Sequence, residues 1–487
     1  SEKTTTATNY DLSNLADGKT YQIKVKATKG SVESSWSNTV SYTPEPPKVH
    51  VQVSFDANGG SNLSQTSKQV TLGETYGVLP TVTPPSDLSF VGWFDDKTGG
   101  NKVTSATKVT NQNAHTLYAR FGEKVVGDTS PDAVEARLRN YMPQDLYETF
   151  FPERYGKFSS WHESEEDYYS YDQLIKGVRE LANRKLRNIR ENINLGDVGK
   201  VFITDKSTGV ETMVFESVDF NANSTALFET IVDYGSFMAD GDENTQKRDL
   251  AGFLGQISHE TNRFGTSSNT REGALGFQQE LNHSDTAGTE YTTQDQYPGS
   301  NTYNPTACKN FPPNLNKSYH GRGPMQLSWN YNYGLFSAMF FGDKMVLLDD
   351  PGMLARDGNG DLALAASLWF WMTPQGLKPS CHDVITGVYQ PTAEDIADGR
   401  TADKIGFGWT IIIVNGYYEA ETSRDGSVTS PNGNYSGQMD DRIQFYEFFT
   451  GNAWKPTGGI PGVTTTGLEA DIDGEQLDTV GMKAYAW

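Results

Sequence analysis

The sequence predicts a multidomain chain in which small all-β modules precede a mainly α-helical (α+β) domain. Three observations predict it. At 487 residues the chain exceeds what one ordinary core organises. Before about residue 122, apolar residues alternate with polar ones, the period of half-buried strands. From about residue 130 the apolar spacing changes to that of amphipathic helices.

Residues 1–45 open the chain with an alternating run, Tyr21, Ile23, Val25 and Ala27. Leu15, Gly18 and Tyr21 resemble the tyrosine-corner pattern of fibronectin type III domains, and only the last strands of such a domain fit here. The start at Ser1 is therefore expected to be that of a processed product or a fragment. Pro44, Pro46 and Pro47 form a stiff linker. In 46–122, Val49, Val51, Val53 and Phe55 alternate into the turn signal Asp56-Ala57-Asn58-Gly59-Gly60. Phe90-Val91-Gly92-Trp93-Phe94, Gly99-Gly100 and the run from His115 to Phe121 follow. This order resembles the β-grasp repeat of the internalin B-repeat type, which implies an extracellular spacer or adhesion module.

Beyond 130, Leu174, Val178, Leu181 and Ala182, then Leu186, Ile189 and Ile193, recur at helical spacing. Within 183–222 a charged stretch is followed by strand-like pieces, Lys200 to Ile203 and Glu211 to Phe215. Residues 266–323, rich in Gly, Asn, Ser, Thr and Tyr, are expected to be irregular and surface-lying. Residues 457–487 are set apart as a Gly/Thr-rich, then acidic, tail without an assigned role.

Net charge of −22 argues against nucleic acid or an anionic membrane as partner. An aromatic content of 12% suits both buried cores and surfaces that stack on sugar rings. No run of 18 apolar residues occurs, so no membrane span is expected, and Trp409 to Val414 is expected to be buried. Cys308 and Cys381 are too few for a disulfide framework or a zinc site; one bridge and two free thiols both stay open.

The sharpest local feature is a helix ending in Ser258-His259-Glu260. Leu250, Phe253, Leu254 and Ile257 form an apolar stripe, and Asp242 or Asn244 can cap its start. Glu260 falls at the edge of that stripe, near the helix C-terminus. Partial burial and the helix dipole both favour the protonated form of a carboxyl there, as a general acid requires. From position alone, a solvated glutamate at a helix end is the more ordinary reading. A zinc-protease motif needs a second histidine where Arg263 stands. Asp357, Asn359 and Asp361 mimic the start of a calcium loop, but its twelfth position is Leu368, so a plain turn is expected.

Longer blocks change the balance. They are Ala251 to Thr261, Gly321-Arg322-Gly323-Pro324-Met325-Gln326-Leu327-Ser328, Asn330 to Gly334, Trp369 to Pro374, Lys378 to Asp383, Val414-Asn415-Gly416 and Asp441 to Tyr446, with Tyr169 to Asp172 upstream. In this order they resemble glycoside hydrolase family 19, the plant-type chitinases, over 130–456. The resemblance implies a lysozyme-like catalytic domain and an inverting endo-chitinase, secreted by a bacterium and acting as a monomer without cofactor or metal. Its substrate is chitin, a β-1,4-linked N-acetylglucosamine polymer. Contact with a cell surface is expected through the N-terminal modules.

In the same resemblance Glu260 matches the general acid. Glu280, in Phe277-Gln278-Gln279-Glu280, matches the general base, with Glu272 as fallback. Such carboxyls stand about 6.5–9.5 Å apart or more, leaving room for a water. The acid stays protonated while the base, in a polar loop, stays ionised. Ser328 matches the hydroxyl that holds that water. Gln326, Asn332 and Asn415 match residues that bond the sugar, as uncharged amides can, although local backbone capping would explain them too. His259 belongs with the substrate-binding set, and Glu419 and Arg442 match a charged network near the acid. Trp369 and Trp371 lie in an apolar run and read as core.

The chain also departs from the family. The paired loop cysteines of the plant enzymes are absent, 183–222 is an insertion, and Val414 to Glu419 replaces a glycine-rich version, placing bulk near the cleft. These departures bear on subsites more than on chemistry. A peptidoglycan hydrolase of the same fold and an adhesion protein with an inactive hydrolase domain are the alternative readings.

Overall fold

The structure, a computed structural model, describes residues 2–85, 88–98, 101–104, 107–123, 127–152, 154–156, 166–190, 199–218, 220, 228–262, 274–280, 283, 290–292, 309–429, 431, 436–451 and 467–485. The chain divides into two compact units. One comprises Ser1–Asn58, Leu63–Pro80 and Gly92–Arg120; the other comprises Gly59–Asn62, Thr81–Val91 and Phe121–Trp487.

In the first unit β1 (Tyr21–Ile23) pairs antiparallel with β4 (Val40–Tyr42), and β2 (Thr28–Lys29) with β3 (Val32–Glu33). β1 is shorter than the alternation through Ala27 predicts. Past it, Val25 and Ala27 donate their N–H groups to the hydroxyls of Ser37 and Ser34. The Ala16 N–H donates to Tyr21 Oη at 2.8 Å, the type of bond a tyrosine corner makes. Val25, Val32, Val40 and Tyr42 stay exposed, so these strands enclose no core among themselves.

β5 (His50–Asp56) buries Val51, Val53 and Phe55 and exposes the residues between them. It pairs antiparallel with β6 (Ser67–Thr71) and parallel with β9 (His115–Glu123). With β7 (Leu88–Phe94) and β8 (Lys102–Val103) the sheet order is β6-β5-β9-β7-β8. Phe55 meets Trp93 edge to face at 5.1 Å, and the Trp93 indole donates to the Pro80 carbonyl. Gly99 and Gly100 lie outside the described residues.

The second unit is mainly helical. α1 (Pro131–Tyr141), α2 (Gln144–Phe150) and α3 (Tyr171–Ala182) come first; Ser130 and Ser170 cap α1 and α3 with their side chains. α3 buries Leu174, Val178, Leu181 and Ala182.

The helical spacing beyond Ala182 is overturned. Leu186 and Ile189 lie on β10 (Arg184–Arg190), which pairs with β11 (Lys200–Asp205) on one side and β13 (Phe228–Asp233) on the other. β12 (Val210–Glu216) completes the order β12-β11-β10-β13. Residues three apart on a strand face opposite sides, and Leu186 is buried while Ile189 is only half-buried. Two flanking strands satisfy the backbone of 184–190, and that pairing overrides the local period. Ile193 lies outside the described residues.

Among the described residues the remaining α-helices are α4 (Glu243–Glu260), α5 (Asn330–Phe341), α6 (Met345–Asp349), α7 (Gly360–Met372), α8 (Cys381–Ile385), α9 (Ala393–Ala397), α10 (Phe407–Glu419) and α11 (Ser436–Thr450). α4 packs along α11, and α3 along α7. α7 is buried nearly all round, Trp369 and Trp371 included, so it forms the centre of the core. Cys381 is a buried free thiol, whose pKa burial pushes up, and Cys308 lies outside the described residues. Among the described residues no helix is long and apolar enough to cross a membrane.

Two further expectations need correcting. Residues 318–323, expected at the surface, are buried, because Arg322 gathers the Ser318 carbonyl and the Tyr333 hydroxyl inside the fold. The segment 457–487, set apart as a tail, belongs to the core over 467–485. Leu468, Ala470, Ile472, Met482 and Tyr485 are buried, and Trp409 Nε1 donates to Tyr485 Oη at 3.0 Å. Glu475 receives the Phe407 N–H at the start of α10 and a bond from Arg248. Its acidic composition hid these partners, which all lie far away in sequence.

Candidate active site

Glu260 is the last residue of α4. Asp242 Oδ1 accepts the Thr245 N–H at 2.8 Å and so starts the helix, while Leu250, Phe253, Leu254 and Ile257 bury its stripe. Gly252 lets α4 come close to its neighbours: a Cβ there would stand 2.5 Å from Ile385 Cδ1 and 2.9 Å from the Trp371 ring. The stripe leaves the Glu260 side chain 20% exposed, at the edge of the core.

Its Oε1 lies 2.7 Å from Arg442 Nη2 on α11. Arg442 is fully buried and also holds Glu419, itself buried on α10, at 3.0 to 3.2 Å. Gln256 Oε1 accepts Arg442 Nη1 at 2.7 Å, and Asn415 Nδ2 donates to Glu419 Oε1 at 2.8 Å. Burial alone would lower the Arg442 pKa; Glu419 and Glu260 outweigh it and raise it above the usual arginine value. The guanidinium is thus a permanent cation flanked by two carboxyls. Burial and the helix dipole are therefore not the whole environment of Glu260, because an opposite charge faces it directly.

A second wall is built by backbone. The Thr261 hydroxyl receives the Leu275 N–H at 2.7 Å, and its carbonyl receives the Gly276 N–H at 3.2 Å. These bonds fasten 274–280 to the end of α4. Gly323 N–H donates to the Gln278 carbonyl and Glu280 N–H to the Gly321 carbonyl, both at 2.8 Å, so this segment pairs with 321–323. Glu280 is 36% exposed. Its Oε1 accepts the Tyr291 hydroxyl at 2.9 Å, its Oε2 accepts the Gly321 N–H at 3.3 Å, and His283 Nε2 stands 3.5 Å from Oε1. Burial first, then Glu280, raises the Tyr291 pKa, so the phenol stays a donor. His283 Nδ1 lies 2.7 Å from Glu290 Oε2, and that bond is the main cause of the raised His283 pKa. Glu272 lies outside the described residues.

Ser328, Gln326 and Asn332 follow the 321–323 pairing. Gln326 and Trp329 take left-handed backbone angles, φ 49° and 75°, which few non-glycine residues adopt. Local bonds hold them there: Gln326 Nε2 donates to the Gly323 carbonyl at 2.8 Å, Ser328 Oγ to the Gln326 carbonyl and Asn332 Nδ2 to the Ser328 carbonyl, both at 2.9 Å. Asn415 interrupts α10 with φ −142° and ψ 38°.

The structure thus brings Glu260, Glu419, Arg442 and Asn415 into one network, and Glu280, Gln326, Ser328 and Asn332 onto one backbone scaffold tied to the end of α4. His259 differs. Its Nδ1 is 2.8 Å from the buried Asp441 of α11 and its side chain is 13% exposed, so it ties two helices together. Thr261, Gln256, Tyr291 and His283 went unread in the sequence, as did Thr479, whose Oγ1 donates to the Glu419 carbonyl at 2.6 Å. A hydroxyl or amide becomes informative only once its partner is known. Asp357 accepts Gln278 Nε2, and Asp361 pairs with Lys176. Among the described residues no group of three or more His, Cys, Asp or Glu side chains can hold a metal ion.

A family model for chitinase class I (glycoside hydrolase 19) matches residues 217–451, which include every candidate residue above except the tie from Thr479. A model for the Listeria-Bacteroides repeat domain matches residues 52–120. An endochitinase of Carica papaya is 37% identical over 225 residues, covering 46% of this chain and 79% of that protein. Endochitinase CH25 of Brassica napus is 37% identical over 222 residues, covering 46% of this chain. This chain spans only 58% of the Brassica protein's length. Inactive chitinase-like protein 1 of Hevea brasiliensis is 37% identical over 216 residues, covering 44% of this chain and 57% of that protein.

Proposed function

The chain belongs to the chitinase class I family of glycoside hydrolases, and from that premise we propose that it is a secreted endo-chitinase, cutting β-1,4-linked N-acetylglucosamine polymers with inversion at the anomeric carbon. Glu260 gives its proton to the leaving glycosidic oxygen. Glu280 takes a proton from the water that attacks the opposite face of the sugar. The bond to the leaving oxygen breaks as the bond to water forms, and the product carries the α configuration.

The observation that carries this reading is the Glu419–Arg442–Glu260 network. Two carboxyls face one buried guanidinium, and only Glu260 reaches the surface of the core. In this reading Oε1 accepts from Arg442, and Oε2 carries the proton that passes to the leaving oxygen. Tyr291 and the Gly321 N–H aim Glu280 as an acceptor. Gln326 and Asn415 each use an amide N–H on the protein and keep an amide oxygen for a sugar and its acetamido group, and Asn332 is placed beside them by its bond to the Ser328 carbonyl. Ser328 holds the attacking water. The resemblance of 46–122 to internalin-type repeats is the ground for proposing an extracellular setting, with contact to a cell surface through that module.

NMR of the first product from a chitin oligomer tests the reading. The α-anomer is expected at first, and Glu260→Gln should lower kcat by about 10²–10⁴-fold. An initial β-anomer rejects inversion, and an undiminished variant rejects Glu260 as the acid. The similarity to a Hevea protein named inactive favours a second reading, a domain that binds without cutting. Assays on chitin oligomers and peptidoglycan in parallel separate the two: turnover of either polymer rejects the inactive reading, and peptidoglycan turnover alone moves the substrate.

A further inference from the structure

α10 carries two large side chains that stay partly exposed beyond its break. Trp409 and Ile411 to Ile413 are buried along the helix before it breaks at Asn415. After the break Glu419 turns inward to Arg442, while Tyr417 and Tyr418 turn outward, 38% and 41% exposed. Their rings meet edge to face, with centroids 4.8 Å apart at 90°. The turn beneath them is held at its far end: Ala420 N–H donates to the Gly416 carbonyl at 3.1 Å, and Thr479 Oγ1 to the Glu419 carbonyl at 2.6 Å.

Two observations put this pair beside the carboxyls. Asn415 and Glu419, which bracket it, belong to the network of Glu260. The Tyr418 phenol is also close enough to Tyr291 to contribute to that residue's raised pKa, after burial, Glu280 and Glu290. Tyr291 is the donor to Glu280 and packs against Trp329 at 5.4 Å. Tyr418 therefore stands near Tyr291, the donor to Glu280, and next in sequence to Glu419 of the Glu260 network. Exposed rings on a clamped turn are pre-organised, so binding costs them little conformational freedom. A pyranose ring presents an apolar face of C–H groups that matches such a surface.

We propose that Tyr417 and Tyr418 form an aromatic platform that stacks on an N-acetylglucosamine ring next to the cleaved linkage and sets where along the polymer the enzyme cuts. The proposal rests on the chitin reading above. It names a substrate contact beside the network of Glu260.

Its test compares wild type with Tyr418→Leu and Tyr418→Phe on a chitin trimer and hexamer. Leu should raise the hexamer KM by roughly two- to tenfold and shift the cut positions along the hexamer, with kcat on the trimer unchanged. Phe should behave as wild type, because stacking needs the ring and not the hydroxyl. Unchanged hexamer KM and cut positions in a Leu variant that melts like wild type would overturn the platform while leaving the chitinase reading intact. A wild type that neither binds nor cuts chitin oligomers overturns both. If Leu weakens the fold, Tyr418→Trp replaces it: its emission, taken as the difference from wild type, should shift on adding hexamer, and an unshifted difference spectrum rejects the platform.

Discussion

The two walls of the site are made in different ways. The Glu260 wall is side chain on side chain: α4, α10 and α11 bring Gln256, Glu419 and Arg442 together inside the core. The Glu280 wall is backbone on backbone, with left-handed residues, a glycine carbonyl and a partly exposed imidazole. A buried network holds its geometry against salt and solvent, and losing one member leaves a charge with no counterion. On the other wall the backbone is buried but the side chains of Glu280, His283 and Glu290 are partly exposed, so losing one of them costs little stability and the pair of His283 and Glu290 responds to pH. The comparison teaches that one candidate site joins a rigid half and an adjustable half.

Breaking the rigid half should have the largest effect. Arg442→Met leaves Glu419 buried without its cation, and about 3–5 kcal/mol of stability should be lost in denaturant unfolding. Adding Glu419→Gln in the same chain should recover most of it. If the single variant unfolds at the same midpoint as wild type, the network is not the rigid element described.

On the adjustable half, Tyr291→Phe removes one donor from Glu280 and little else. A hydrogen bond to a charged group is worth about 1.5–3 kcal/mol, and partial exposure reduces that, so kcat/KM should fall by about tenfold with the melting temperature nearly unchanged. A loss of stability as large as that of Arg442→Met would erase the difference between the walls.

The smallest effect is a pH response. His283 has a raised pKa, mainly from its bond to Glu290, and Glu290 a lowered one from the same bond. The stabilisation linked to His283 is fully present below its unfolded pKa, about 6.5, and is lost as pH rises through the higher folded value. That linked to Glu290 is present above its unfolded value and is lost as pH falls through the lower folded one. The pair is therefore strongest between the two folded values. Both side chains are partly exposed, at 25% and 37%, so the contribution should be about 0.5 kcal/mol or less. An NMR titration of the His283 ring should give a midpoint above 6.5 in wild type, moving down in Glu290→Gln; equal midpoints would show that the pair does not form.

Much of the Glu260 wall was legible in the sequence. The stripe from Leu250 to Ile257 and the cap at Asp242 are local, since a helix satisfies its backbone within four residues and prints its period on the chain. The ordered blocks from Ala251 to Tyr446 then named the partners of Glu260, and the structure joins Asn415, Glu419 and Arg442 to it. Locality failed at β10, where Leu186 and Ile189 keep a helical interval while two neighbouring strands supply the hydrogen bonds. It failed again for 467–485, whose composition reads as a tail although Glu475 and Thr479 hold both ends of α10.

By itself the sequence determined the modular order, the helix that ends in Glu260 and the family to which that helix belongs, because local period and block order are written along the chain. Only the tertiary structure decided that Glu260 meets a guanidinium, that Tyr291 and His283 attend Glu280, and that the last residues close the core. Those contacts join residues far apart in the chain, and their energy comes from burial and charge pairing that exist only after the chain has folded.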